Sequence, residues 1–266
     1  MSCTTYPQVG NFSSIETLEP LWLHHADGIE YLHGRISSPM LEFHALRIDL
    51  SKPNIQIFVG TGDANGNSTK VSSFVRDNNL TAGINALPFD VISASEGRPI
   101  RNMGLVISGG RLLSGANPYY DAIVFYKDGG AAIVSQSSIH SSSIDNIENA
   151  VGGFHQILAG GLPAARTLAG TTRHPRSAAG ISADGYLYLV VIDGRRTASA
   201  GATEHETALL LRSLGAWDAL NLDGGGSSAL AMRDADGNTR VVNTPVHNGI
   251  PGFERAVAGC LGIINE

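Results

Sequence analysis

The chain has 266 residues, 42% of them hydrophobic and only 16% charged, with 32 glycines. That is enough apolar material for a sizeable core, and it favours many turns and short strands over long solvated helices. A net charge of −6 argues against a general nucleic-acid or polyanionic-membrane binder, and no run reaches the ~18 apolar residues of a membrane span.

Residues 1–20 are polar, carry Pro7 and Pro20 and lack periodicity, so they read as an N-terminal tail or linker before a single domain, 21–266. Met1-Ser2-Cys3-Thr4-Thr5 looks like the end of a bacterial lipoprotein leader, which favours export to the periplasm or cell surface over a cytoplasmic location and makes Cys3 a candidate lipid anchor. The other cysteine, Cys260, lies in an apolar segment, and the two have no metal-ligand spacing. Short strands are expected at 29–33, 42–50 and 55–59. A helix follows over 69–78, where Val71, Phe74 and Val75 form an apolar stripe. Ala82-Gly83-Ile84-Asn85-Ala86 is apolar around one amide, and 87–102 is irregular, with Pro88 and Pro99. Strands return at 104–107, 122–126 and 131–134, with hairpin signals at Gly109-Gly110 and Gly129-Gly130. A Ser-rich loop occupies 135–143, and a connection runs from Ala159-Gly160-Gly161 to Thr171-Thr172. Residues 186–192, Tyr-Leu-Tyr-Leu-Val-Val-Ile, carry no charge and read as a strand buried on both faces. Over 203–214 a helix is expected, with Thr203 as N-cap, Glu206 completing a capping box and Gly215 ending it. The last strand falls within 256–264. Strands outnumber helices, so the expected fold is α+β: a mixed, largely antiparallel sheet core with a few flanking helices.

The chemistry concentrates in Asn221-Leu222-Asp223-Gly224-Gly225-Gly226-Ser227-Ser228. An apolar strand ends in an acid, and three glycines then allow a ligand to approach backbone N–H groups that can form an anion-binding nest. The alternative is a tight Asp-Gly hairpin. The strand 186–192 ends in the same way, in Asp193-Gly194-Arg195-Arg196, so two strand-end acids can converge at one end of a sheet. Paired carboxylates suit glycoside hydrolysis; otherwise Asp193 caps a turn and pairs with Arg195 or Arg196. Arg176 enters a strand behind Pro175, and a guanidinium fork matches phosphate or carboxylate. Asn85, inside an apolar run, must find partners in a structural network or a ligand. Glu254-Arg255 reads as a local ion pair, and Glu204 as a favourable charge at a helix N-terminus. A P-loop is excluded because Ser227 stands where lysine is needed. A nucleophile elbow is disfavoured because Ala229 replaces its last glycine.

The ordered set His174-Pro175-Arg176-Ser177-Ala178-Ala179-Gly180, Val190-Val191-Ile192-Asp193-Gly194-Arg195, Gly201-Ala202-Thr203, Asn221 to Ser228, Asn243 and Glu254-Arg255 resembles the phosphodiester glycosidase family, over roughly Gly28 to Ile264. Ile84 to Asp90 looks like that family's Ile-Asn-Gly-Gly-Phe-Phe segment, with Ala86-Leu87-Pro88 in place of small residues. The resemblance implies a glycoside hydrolase that cleaves the anomeric C1–O bond of a sugar-1-phosphodiester carrying an N-acetylglucosamine-like sugar, or of a related glycan; no cluster of acids has calcium-loop spacing, so no cofactor or metal is expected from the residues. It places Arg176, with Arg195 or Arg255, on the phosphate, assisted by the N–H groups of Gly224, Gly225 and Gly226 and by Ser227. It makes Asp223 and Asp193 the carboxylates at the anomeric centre, and sets Asn85 and Asn243 against sugar hydroxyls. Which acid does which task stays open. The altered 86–88 segment leaves room for a glycosidase acting on a phosphate-free glycan, and the same arginines and glycines would serve a non-catalytic phosphoglycan binder.

Overall fold

The computed structural model describes residues 9–63 and 65–266; Cys3, the candidate anchor, lies outside them. The strand Tyr186–Ile192 sits inside a nine-stranded sheet. Its alternation serves two cores. Leu187, Leu189 and Val191 enter one, and Tyr188, Val190 and Ile192 the other, so both faces are buried and seven residues carry no charge.

This strand pairs antiparallel with Met40–Asp49 on one side and with Arg176–Ile181 on the other. Arg176–Ile181 in turn pairs antiparallel with Asp218–Asn221. Two antiparallel steps make Tyr186–Ile192 and Asp218–Asn221 run in the same direction. The register sets Arg176 and Phe43 on either side of Ile192, and Ala178 opposite Asn221. The start of two strands and the close of two others therefore meet at one end of the sheet, where the chemistry-bearing residues lie.

A five-stranded sheet (Thr239–Val241, Leu230–Arg233, Ala82–Asn85, Cys260–Asn265 and Ile55–Gly60, in spatial order) packs on it through Ile84, Leu230, Leu261 and Ile263. The helix Val71–Asp77 covers its outer face with Phe74 and Val75. A second five-stranded sheet adds Ile123, Phe125 and Val151 to the same core. On the far face of the large sheet lies the helix Glu204–Leu214, whose Ala208, Leu210, Leu211 and Leu214 pack against Tyr188, Val190 and Ile192. Its ends are chemically defined. The Thr203 hydroxyl accepts from the Glu206 N–H at 3.1 Å, the Glu206 carboxylate accepts from the Thr203 N–H at 2.9 Å, and Gly215 closes the helix at φ +116°. The fold is α+β as expected, with mixed sheets: nearly all pairs are antiparallel, and Gly10–Phe12 runs parallel to Ile29–Ser37.

Two stretches differ from the sequence reading. Within the expected tail, Gly10–Phe12 adds a strand, and Ile15 and Leu18 are buried; two apolar residues in a short polar segment are too few to read as a pattern, yet both reach the core. Ile147–Gly152 pairs on both sides within the second five-stranded sheet. Asn149 interrupts its apolar run because its side chain donates to the Ile57 carbonyl and accepts from the Gly109 N–H, binding neighbouring segments together.

Replacing Thr203 with Ala removes half of the capping box. The expected loss is about 1 kcal/mol of unfolding free energy in urea denaturation, with Thr203→Ser close to wild type.

Candidate active site

Asp223 follows the strand Asp218–Asn221, whose ladder continues as the Leu222 N–H donates to the Ser177 carbonyl at 2.9 Å. Three glycines then carry the chain out of the nine-stranded sheet and into Leu230–Arg233 of the facing sheet. The motif is a crossing between sheets, not a hairpin, and each glycine has its own reason. Gly225 has φ +64° and donates to the Pro175 carbonyl at 2.8 Å. A β-carbon at Gly224 would stand 2.9 Å from that same carbonyl, and one at Gly226 would stand 2.7 Å from the Arg255 guanidinium carbon.

Around this crossing the structure gathers Asp223, Arg195, Arg255 and Arg176. Arg255 packs on Gly226, donating from Nε to His247 Nδ1 at 3.0 Å and from Nη1 to Ser227 Oγ at 3.2 Å. Accepting there puts the His247 ring proton on Nε2, and burial, with Arg255 alongside, keeps that imidazole below its usual range. Arg195 adopts φ +57° and reaches over Gly225, and its guanidinium has no hydrogen-bond partner among the described residues. Arg176 donates from Nε to the Ala202 carbonyl at 2.9 Å and lies 3.5 Å from Glu204. Asp223 is partly open to solvent while the surrounding protein strips most of its hydration. Burial pushes its pKa up to about 6, against the pull of the Ser227 hydroxyl, the Arg255 charge and the Gly224 N–H.

The other expected residues face inward. Asp193 is 1% exposed. It accepts from Asn243 Nδ2 and the Thr244 N–H, each at 3.0 Å, and from Arg196 at 2.5 Å. Burial raises its pKa against these partners, but neither oxygen is left to face a substrate. The turn-capping alternative with Arg196 describes it. Asn243 is also fully engaged: it donates to Asp193 and to the Ser228 carbonyl and accepts from the Leu230 N–H. Asn85 is fully buried. Its Nδ2 donates to the Asp223 carbonyl at 2.5 Å, and its Oδ1 accepts from Ser177 Oγ at 2.7 Å and the Ala229 N–H at 3.1 Å. Both asparagines hold the crossing in place and present nothing to a sugar hydroxyl. Glu254 and Arg255 do not pair with each other: Glu254 accepts from the Ser72 N–H and hydroxyl, at the start of the helix Val71–Asp77, and Arg255 turns to the site. His247 was not legible in the sequence, since no motif surrounds it. Glu204 was legible only as a helix-end charge; its approach to Arg176 required the fold.

His33, Glu42 and His44 bring ligand-type atoms within 4.8 Å of one another. Glu42 already accepts from His33, Arg35 and Arg196, and His44 Nδ1 meets the Tyr31 hydroxyl at 2.6 Å. Two guanidiniums beside the carboxylate oppose a cation there. A hollow of about 270 Å³ bordered by Ile57, Phe125, Tyr126 and Asn149 lies apart from the charged cluster and brings no convergent set of titratable groups. Among the described residues no helix is long and apolar enough to cross a membrane.

The sequence pattern of the family described as Phosphodiester glycosidase matches residues 78–264. A Bacillus subtilis SPbeta prophage-derived uncharacterized protein, YomE, is 38% identical over 91 residues, which is 34% of this chain and 13% of that protein's length. A hypothetical protein from Synechocystis superposes with a TM-score of 0.71 at 16% identity, covering 94% of this chain and 64% of the other. The zebrafish N-acetylglucosamine-1-phosphodiester alpha-N-acetylglucosaminidase catalytic domain, auto-inhibited by its pro-peptide, superposes with a TM-score of 0.68 at 19% identity, covering 96% of this chain and 86% of that one. At these identities the two structures share the fold.

Asn85→Ala leaves the Ala229 N–H and the Ser177 hydroxyl without their buried acceptor, and the expected cost is about 2–4 kcal/mol in urea denaturation. Asp223→Asn acts with the opposite sign. The folded carboxyl holds its proton up to about pH 6, against ~3.9 in the unfolded chain. Ionisation therefore costs stability above pH 6, and the cost fades as pH falls towards 4. The variant is expected to be more stable than wild type by on the order of 2 kcal/mol at pH 8, with the gap closed near pH 4; equal stability at both pH values would refute the assignment.

Proposed function

Because the chain belongs to the phosphodiester glycosidase family, we propose that it hydrolyses the anomeric C1–O bond of a sugar-1-phosphodiester. The observation that supports this most is the grouping of one acid, raised to about pH 6, with two guanidiniums across a three-glycine crossing.

In this reading the phosphate lies on the crossing. Arg195 and Arg255, packed over Gly225 and Gly226, supply the charge, and Ser227 accepts from Arg255 and steadies its guanidinium. Arg255 is held from behind by His247, so its fork is positioned before a ligand arrives. A phosphate leaving group departs as a stable anion, so the site needs little general-acid help and mostly charge stabilisation. Asp223, mostly ionised near neutral pH, faces the positive charge that grows at the anomeric carbon; it stabilises that charge or takes the proton from the attacking water. Asp193, Asn243 and Asn85 hold the backbone from which Asp223 and Ser227 project.

With an N-acetylglucosamine-1-phosphodiester in heavy-oxygen water, mass spectrometry is expected to place the label on the sugar; label on the phosphate would mean P–O cleavage and refute the proposal. Asp223→Asn is expected to lower kcat by about 10³-fold or more while retaining ligand binding. The acid limb of kcat/KM is expected near pH 6, with activity lost as Asp223 takes up its proton. A wild-type protein that binds a glycan phosphate tightly without turnover would be a binding module instead.

A further inference from the structure

Next to the crossing, reached through Arg176, is a second group of polar and aromatic side chains that the proposed chemistry leaves unused. Asn221 pairs with Ala178 in the ladder and turns its side chain to the helix side, where Glu204 lies; Arg176, 3.5 Å from Glu204 and packed against Gly224, joins this group to the crossing that carries Asp223. Asn221 is 3% exposed and its Oδ1 has no hydrogen-bond partner. Its Nδ2 donates to Glu204 Oε1 at a long 3.4 Å. Glu204 also meets Arg176 only at 3.5 Å, its Oε2 has no partner among the described residues, and its side chain is 29% exposed. Two long contacts and two unmatched acceptor oxygens at a buried rim are uncommon in a site complete in itself.

An aromatic wall stands next to these acceptors. The Glu204 charge is close enough to act on His155, and the Asn221 N–H donates to the His155 carbonyl. The Tyr120 ring stands edge-on to both Phe154, at 5.3 Å, and His155, at 5.8 Å, and all three are half-buried. Acceptor oxygens beside a ring-lined wall offer partners to the hydroxyls and to the C–H face of one sugar ring.

We infer that Glu204 and Asn221, with the Tyr120–Phe154–His155 wall, form the subsite that holds the sugar ring, and that Glu204 is its specificity-determining residue, accepting from sugar hydroxyls. The inference rests on the proposed hydrolase reading, which places the substrate on the adjoining crossing. A carboxylate there selects neutral, hydroxyl-rich sugars and rejects sugars that carry their own carboxylate. Arg176, paired loosely with Glu204, belongs to this side of the site rather than to the phosphate side.

The test compares wild type, Glu204→Ala and Glu204→Gln on an N-acetylglucosamine-1-phosphodiester, with inorganic phosphate as competitor and free N-acetylglucosamine as a calorimetric probe. The expected result is a rise in KM of about 10- to 100-fold for Glu204→Ala, with partial recovery in Glu204→Gln. Competition by inorganic phosphate stays as in wild type, and so does the melting temperature. Unchanged KM in Glu204→Ala would overturn the subsite, as would weakened phosphate competition or a fall in melting temperature that parallels the kinetic loss. If wild type turns nothing over, the hydrolase reading fails alone: free sugar bound by wild type and lost in Glu204→Ala still supports the subsite, and no sugar binding by wild type sinks it too.

Discussion

The amide of Asn85 makes three hydrogen bonds, and the candidate site depends on them. It belongs to a strand of the five-stranded sheet, yet its partners are Ser177 of the nine-stranded sheet and the main chain at Asp223 and Ala229, on either side of the glycine crossing. One side chain thus fixes the distance between two sheets and pins both ends of the segment that passes between them. In a water-free interior these bonds have no competitor, so the geometry is held far more tightly than a solvent-exposed loop would be. The two acids that share the strand-end pattern then diverge in use. Asp193 is consumed in holding Thr244, Asn243 and Arg196, and Asp223 remains at the rim.

On the proposed reading, the arrangement reconciles an acidic chain with an anionic ligand. The chain as a whole carries a net charge of −6, whereas Arg195 and Arg255 lie side by side over Gly225 and Gly226 of the crossing. Local field, not net charge, governs binding at this range, because the screening length in physiological salt is about 8 Å. Burial and its arginine neighbour hold Arg255 somewhat below the usual guanidinium range, while Asp223 pulls the other way, so the acid and the base temper one another until a ligand replaces one of the contacts.

Much of this was legible before the fold was known, and the limits have physical causes. The capping box at Thr203 and the uncharged strand ending at Ile192 are local signals, and local signals survive in sequence. Arg176, Arg195 and Asp223 stood out because each lies at or just past a strand end, whereas Arg255 read as half of a local ion pair and joined the set only through the family resemblance. What could not be read was direction. Whether Asp193 looks outward, like Asp223, or inward depends on partners fifty residues away in Asn243 and Thr244. Ile15 and Leu18 were missed for the same reason: burial by distant strands leaves no periodicity in a short segment. Glu204 looked like a helix-end charge because its neighbours Arg176 and Asn221 arrive from other strands.

Glu254 and Arg255 are joined by a single peptide bond but serve opposite ends of a lever. Glu254 is clamped onto the first turn of the helix Val71–Asp77 through Ser72, and Arg255 leans on the glycine crossing. With the carboxylate anchored, the guanidinium has little slack along the chain. The small helix on the outside of the molecule is therefore the mechanical footing of the guanidinium at the crossing, and loosening its first turn would shorten the time that arm spends in place without touching a residue of the crossing.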